Sequence, residues 1–451
     1  MSTPNGKTVD EQVVGRPKGK GPKKIKLVSG LTSFPREILA HFDALEMLDL
    51  SSNPSLSQLP KDISRLHKLK IAFFSNCSFT VFPKELAQCR SLEMVAFKEN
   101  RMTTIPEFAF PRKLRWLILT NNEITSLPAS IGECHRLQKC MLAGNRLTNL
   151  PTEMAYCRKL GLLRLSSNKL AELPEWLFEL PELSFLSFAG NPCMRGFYDN
   201  PVLNDISWKE LEVQHLLGEG ASGIISKGTW KGESEERPVA IKLFKGEVTS
   251  DGSPADEMDA CIAAGKHPSL IDPIGKIQGH PDKRGLVLEL IPPHYQNLGL
   301  PPTLDSCTRD SFLPETVFSV VTCKNMLLGI ASAAEHLHAR GIKHGDLYAH
   351  NILLDKSSGH ALLGDFGAAT IYGREHEKAE MIERMEVFAF GHLVEDLLGL
   401  VERVIGDEGL IDSKKDAYAI EALNLLHWKC THPVVMQRPN FAEVKEELEG
   451  F

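Results

Sequence analysis

The sequence predicts a multidomain chain of mixed α/β and α+β class: a solenoid of short repeats, then a second domain built around ordered glycine, lysine and aspartate motifs. A leucine pattern recurs about every 23 residues through the first half. Four motifs follow in order through the second half. The 451 residues amount to about three common domain lengths, enough for two substantial cores.

Residues 1–26 read as a disordered basic tail, polar and rich in Lys, Gly and Pro, with Lys18, Lys20, Lys23, Lys24 and Lys26 clustered. Residues 27–207 read as the repeat domain. From Leu45 the pattern L-x-x-L-x-L-x-x-N-x-L-x-x-L-P returns, clearest from Leu114, Leu137 and Leu160, weaker from Leu45, Leu69, Leu92 and Leu183. One repeat cannot bury its leucine face alone, so about seven stack, closed by half-repeats as caps. Asn53, Asn100, Asn122, Asn145, Asn168 and Asn191 recur where the chain turns off each strand, the place for a side chain that satisfies backbone groups. Cys77 interrupts that ladder. Cys89, Cys134 and Cys157 share one repeat offset and read as core fillers. This half resembles the intracellular leucine-rich repeats, which implies a right-handed horseshoe. The third strand position, predicted to face the hollow side, reads Met47, Ile71, Met94, Trp116, Lys139, Leu162 and Phe185. Six apolar residues in seven predict a surface for a protein partner or for the chain's own second domain.

Residues 208–451 carry the chemistry. LLGEGASGII places Gly218, Gly220 and Gly223 in a G-x-G-x-x-G turn with Ile225 behind it, flanked by β-type residues that predict a strand–turn–strand hairpin. PVAIKLF then carries one cation, Lys242, inside an apolar strand. HGDLYAHN and GDFG supply Asp346, Asn351 and Asp365. From these residues onward the chain resembles a eukaryotic-type protein kinase, and the SKGTWKG run is most similar to the tyrosine-kinase-like group. The resemblance implies a bilobal kinase fold, ATP and Mg2+ as cofactors, and transfer of the γ-phosphoryl to a protein hydroxyl, serine/threonine-directed. It assigns the glycines and Lys242 to the phosphates, and Glu257 (or, second, Asp259) to holding Lys242. It places Ala240, Leu288 and the backbones of Glu289 and Ile291 around adenine, Asp346 at the acceptor proton, and Asn351 and Asp365 on magnesium. MEVFAFG, with Glu386 for the usual aspartate, and the closing Cys430 to Arg438-Pro439 run extend the likeness.

Three departures bear on regulation. Gly345 replaces the loop arginine that binds an activating phosphate. The segment from Gly367 to Glu386 is short and lacks A-P-E, so the peptide platform is reduced and Arg438 needs another partner, with Glu375, Glu377 and Glu383 as candidates. Tyr348 replaces the catalytic-loop lysine, and His350 follows it. These losses keep two alternatives open: a nucleotide-binding scaffold (a pseudokinase adaptor) and a small-molecule phosphotransferase. Net charge of -7 gives no electrostatic case for nucleic acid. No apolar run nears the ~20 residues of a membrane span. Ten cysteines without C-x-x-C spacing point to a reducing, cytoplasmic setting.

Overall fold

The computed structural model of the protein describes residues 21–194, 203–232, 236–246, 248–402 and 414–451. It contains two units, one running to Glu182 together with Asn191–Cys193, the other comprising Leu183–Gly190 and Met194–Phe451.

The first unit is a parallel sheet consistent with a repeat region. Its three-residue strands β1 (Lys24–Lys26), β2 (Met47–Asp49), β3 (Ile71–Phe73), β4 (Met94–Ala96), β5 (Trp116–Ile118), β6 (Lys139–Met141) and β7 (Leu162–Arg164) pair in sequence order. Central residues Leu48, Ala72, Val95, Leu117, Cys140 and Leu163 are fully buried, as a two-residue strand period requires of one face. The prolines that close successive repeats, Pro83 (after Phe82) and Pro128, Pro151 and Pro174 (each after a leucine), stand just before short 3-10 turns at φ between -70 and -66. Ring closure fixes that angle, so proline starts each return limb without losing a needed N–H.

Of the tail expected over residues 1–26, Lys24–Lys26 instead form strand β1, and Lys18 and Lys20 lie outside the described residues. Ile25 is buried while Lys24 and Lys26 point outward, so the alternation that looked like a basic tail is the edge strand β1. Lys23 and Lys26 pair with Glu46 and Asp49 of the next repeat.

The asparagine ladder works in both directions. Asn145 donates Nδ2 to Leu119 O and Leu142 O, both at 2.9 Å, and its Oδ1 accepts Ile124 N at 3.1 Å. Cys77 donates only, to Leu50 O at 3.4 Å and Ser75 O at 3.6 Å. The repeat before it explains why that suffices: its extra residue lets Leu56 N bond to Asn53 O, so no side-chain acceptor is needed there. Asn145→Ala therefore strands three buried backbone groups and is expected to cost about 2–3 kcal/mol, whereas Cys77→Ala costs about 1 kcal/mol or less. Urea denaturation midpoints of the two variants check this; equal costs would refute the ladder's two-way role.

Cys89, Cys134 and Cys157 are buried, and burial pushes each thiol up to about 12. Of the third strand positions, Met47, Ile71, Met94 and Trp116 are half-buried, while Lys139 lies 4.5 Å over the Trp116 ring. Leu162 and Phe185 are buried.

The second unit begins with β8 (Phe185–Ser187), which repeat phase alone assigns to the first half. Next comes a six-stranded sheet in the order β10–β11–β12–β14–β13–β9. Its strands are β9 (Asn204–Ser207), β10 (Leu211–Glu219), β11 (Gly223–Lys231), β12 (Glu236–Phe244), β13 (Pro273–Gln278) and β14 (Gly285–Glu289). β9 pairs parallel with β13, so this sheet starts before the expected boundary at residue 208. Val239 and Ile241 enter one core cluster and Ala240 and Phe244 the other, the period-2 division of a strand buried on both faces. Helix α1 (Pro254–Ala264) starts on a Ser253 cap with proline at its first position.

The remainder is mostly helical: α2 (Val320–His338), α3 (Ala379–Gly399), α4 (Lys414–Cys430) and α5 (Phe441–Glu449). A three-stranded sheet joins β15 (Gln296–Asn297), β17 (Ile352–Asp355) and β18 (His360–Leu363). A two-stranded one joins β16 (Ile342–Lys343) to β19 (Thr370–Ile371). These small sheets hold the HGDLYAHN and GDFG turns at their ends.

Candidate active site

Four elements of the second unit converge on one cleft of about 210 Å³, lined by Gly220, Gly223, Ile225, Lys242, Glu257, Leu288 and Asp365 among others. The glycines turn between antiparallel β10 and β11, the hairpin the sequence predicts, and Gly220 N closes the turn on Gly223 O at 2.9 Å. A Cβ on Gly223 would meet Leu243 O at 2.8 Å, so packing demands glycine there. A Cβ on Gly218 or Gly220 would meet nothing within 4 Å. Space, not packing, is kept at those two positions, as close backbone approach to a ligand requires.

Lys242 leaves β12 into the cleft and pairs with Glu257 of α1. Burial alone would lower the lysine, but the Glu257 carboxylate, with Asp365 nearby, carries it above its ordinary value. Glu257, rather than Asp259, is the residue brought to it. The second oxygen of Glu257 is buried without a hydrogen-bond partner and lies toward Gly367. Asp365 adopts a left-handed backbone (φ 57), accepts Gly367 N at 3.1 Å and is exposed to the cleft.

Beyond the cleft lining, Asn351 donates Nδ2 to both Asp346 O and Asp346 Oδ2 at 3.0 Å. Its backbone O accepts Gly364 N at 2.9 Å, and His344 Nε2 donates to Gly364 O at 2.9 Å. Because His344 Nδ1 accepts Asp346 N, the buried ring bridges the two aspartate turns as its Nε2–H tautomer. The donor set fits magnesium: Asn351 spends its amide N–H groups on Asp346, which turns its oxygen the other way, and Asp365 offers an exposed carboxylate.

Not every predicted residue lines the cleft. Gly218, Ala240, Glu289, Ile291, Asp346 and Asn351 lie outside its lining. Ala240 packs instead into the cluster of Ile262, Leu286 and Leu288, and Glu289 N donates to Asp272 O at 3.0 Å.

Residues 211–389 match the protein kinase domain family. The chain carries a protein kinase domain. Over 285 residues, 56% of this chain and 16% of the relative, it is 25% identical to a probable serine/threonine-protein kinase, gdt4, of Dictyostelium discoideum. It is 30% identical over 173 residues to the human receptor tyrosine-protein kinase erbB-4, covering 36% of this chain and 12% of that one. Against cyclin-dependent kinase 11.1 of Caenorhabditis elegans the identity is 29% over 168 residues, 36% of this chain and 22% of the relative. The chain thus spans under a quarter of these relatives' lengths.

The kinase domain also holds contacts that sequence reasoning missed. Glu386 of α3, fully buried, accepts Gly345 N at 2.6 Å, His344 N at 3.1 Å and His338 Nε2 at 2.8 Å, with Lys343 Nζ at 3.5 Å. Burial works against its charge, yet Lys343 and the His338 hydrogen bond hold it far below the usual carboxylate range. Cys261, Thr249 and Asp251 line the cleft, and burial pushes the Cys261 thiol up to about 12. His350 Nδ1 lies 2.7 Å from the Asp310 carboxylate. Arg438 sits 4.5 Å from the Phe388 ring and donates Nε to His432 O, while Glu383 accepts Phe441 N.

Gly345 is not a damaged arginine site. Its φ is 76, and a Cβ there would meet Ala368 O at 2.6 Å. Gly345→Ala is expected to destabilise the kinase domain by about 2 kcal/mol or more, since left-handed backbone costs a side chain about 1–2 kcal/mol before the clash is added. A thermal melt with unchanged midpoint would contradict this.

Proposed function

We propose that the chain is an ATP- and Mg2+-dependent protein kinase, serine/threonine-directed, with a leucine-rich-repeat horseshoe as its recruiting arm. The carrying observation is the assembled pair of Lys242 and Glu257 in a cleft that also presents Asp365. Glu257 fixes the Lys242 ammonium where the α- and β-phosphates of ATP would lie. The N–H groups of the glycine turn would approach those phosphates from β10 and β11, and Leu288, with the Glu289 and Ile291 backbones, would flank adenine. Asn351 and Asp365 would hold magnesium, whose contribution is to neutralise phosphate charge. Asp346, oriented by Asn351, accepts the proton of the acceptor hydroxyl as the oxygen attacks in line.

In this reading the half-buried Met47, Ile71, Met94 and Trp116 form the apolar ladder of the recruiting arm, whereas Leu162 and Phe185, expected in it, are buried and take no part. Each ladder residue stands one residue before a buried strand centre and pairs in register with the next, which supports one shared face. Ten free cysteines suit a cytoplasmic, reducing setting, and no described helix is long and apolar enough to cross a membrane. A second reading, a nucleotide-binding adaptor, is favoured by one observation: Tyr348 stands where the family supplies a cation.

Incubation with γ-labelled ATP and magnesium tests this. Label on protein hydroxyls, absent with Asp365→Asn, is the expected result. Label on small metabolites alone would replace the reading with a small-molecule phosphotransferase, and ATP binding without transfer would leave the adaptor.

A further inference from the structure

Two residues that depart from the kinase pattern, Gly345 and Tyr348, meet the short stretch Leu183–Gly190 of the same unit. Lys343, next to the HGD turn, donates Nζ to Ser184 O at 3.0 Å. Tyr348, in place of the loop lysine, stacks on Phe185 with ring centroids 3.8 Å apart and planes 7° from parallel. A Cβ on Gly345 would approach Leu186 O to 3.1 Å. Further along, Ser187 Oγ donates to Asp251 O at 3.0 Å, and Phe188 N donates to Thr370 Oγ1 at 3.1 Å. One strand of three residues and its flanks thus grip the catalytic loop, the segment after Asp365 and the loop ahead of α1.

Those three pieces must be in register for phosphoryl transfer. They are in register here: Lys242 pairs with Glu257, Asp365 holds its left-handed turn, and β16 pairs with β19. No arginine at position 345 is available to draw them together around a phosphate. We propose that Leu183–Gly190 is the strut that holds them, with Phe185 as a positioning residue acting through Tyr348. The inference rests on the kinase reading and names what replaces loop phosphorylation in it. An apolar ring in place of the lysine is then a socket, which explains why both Phe185 and Tyr348 are nearly inaccessible, at 2% and 5%. A cation at 348 would leave Phe185 no ring to stack on.

The test uses the full chain and four variants: Phe185→Ala, Tyr348→Ala, the pair together, and Phe185→Tyr. Each alanine variant is expected to lower kcat about tenfold with KM for ATP within about twofold, the signature of lost alignment rather than lost binding. The double variant should fall no further than the worse single one, since both remove the same stack. Phe185→Tyr keeps the ring and should restore kcat. Unchanged or raised kcat in Phe185→Ala, or additive losses, would overturn the strut, a rise meaning that the stretch covers the site instead. Should Phe185→Ala fail to fold, Ser187→Ala with Thr370→Val removes two grips without touching the rings, and unchanged kcat there would also overturn it. Absence of transfer in the wild type is a separate result, which overturns the kinase reading itself.

Discussion

Asp346→Asn is expected to remove nearly all phosphoryl transfer while leaving ATP binding and folding as they are. In the proposed reading the carboxylate faces the acceptor hydroxyl rather than the nucleotide, so ATP affinity should not depend on it. Its Oδ2 accepts Asn351 Nδ2 at 3.0 Å, a bond that an isosteric amide oxygen keeps. What the amide cannot do is take a proton from the acceptor hydroxyl. Positioned general bases contribute about 10²–10⁴-fold, so kcat should fall by that factor with KM for ATP unchanged. Single-turnover transfer and equilibrium ATP binding, measured on the same preparation, separate the two effects. A loss smaller than tenfold would move the proton to water or to another group. An equal loss of ATP affinity would mean that Asp346 belongs to the nucleotide site.

The motif residues of this site were legible because their chemistry restricts residue type at fixed spacing. Lys242 is a cation inside an apolar strand, and Asp346, Asn351 and Asp365 sit in turns punctuated by glycine. The hairpin around the glycines followed from β-branched residues on both sides, and the structure forms it. Helical periodicity and the distance to His267-Pro268 favour Glu257 over Asp259, and Glu257 is the one that pairs with Lys242. What the sequence hid were partners distant along the chain. Lys343 carries the same signal as Lys242, a charge in a short apolar run, but its partner Glu386 is 43 residues away on α3. Residues 24–26 misled because a strand of three residues is too short for its alternation to stand out from a basic tail. Tyr348 looked like a loss because its socket, Phe185, is 163 residues earlier.

Glu386→Gln should be the most destabilising single-atom exchange in the kinase domain. The carboxylate receives two backbone N–H groups, an imidazole nitrogen and, at 3.5 Å, an ammonium, all in a fully buried setting. An amide presents a donor where donors already point, and it leaves the fully buried Lys343 without its counter-charge. Breaking one side of a buried ion pair costs about 3–5 kcal/mol, which for a domain of this size lowers the melting midpoint by about 10 °C. Lys343→Met added to Glu386→Gln should recover part of that loss, because no charge is then stranded. The pH dependence has a definite sign. The folded carboxyl is held below its ordinary value of 4.5, so the group binds fewer protons folded than unfolded. Its contribution is complete above that value and shrinks as pH falls below it toward the depressed folded value. Melts at pH 7 and pH 4 should therefore show the gap between wild type and Glu386→Gln narrowing at the acid end. A gap under 1 kcal/mol at pH 7, or one that widens in acid, would mean that water reaches this pair and that the backbone of the HGD turn is held by something other than its charge.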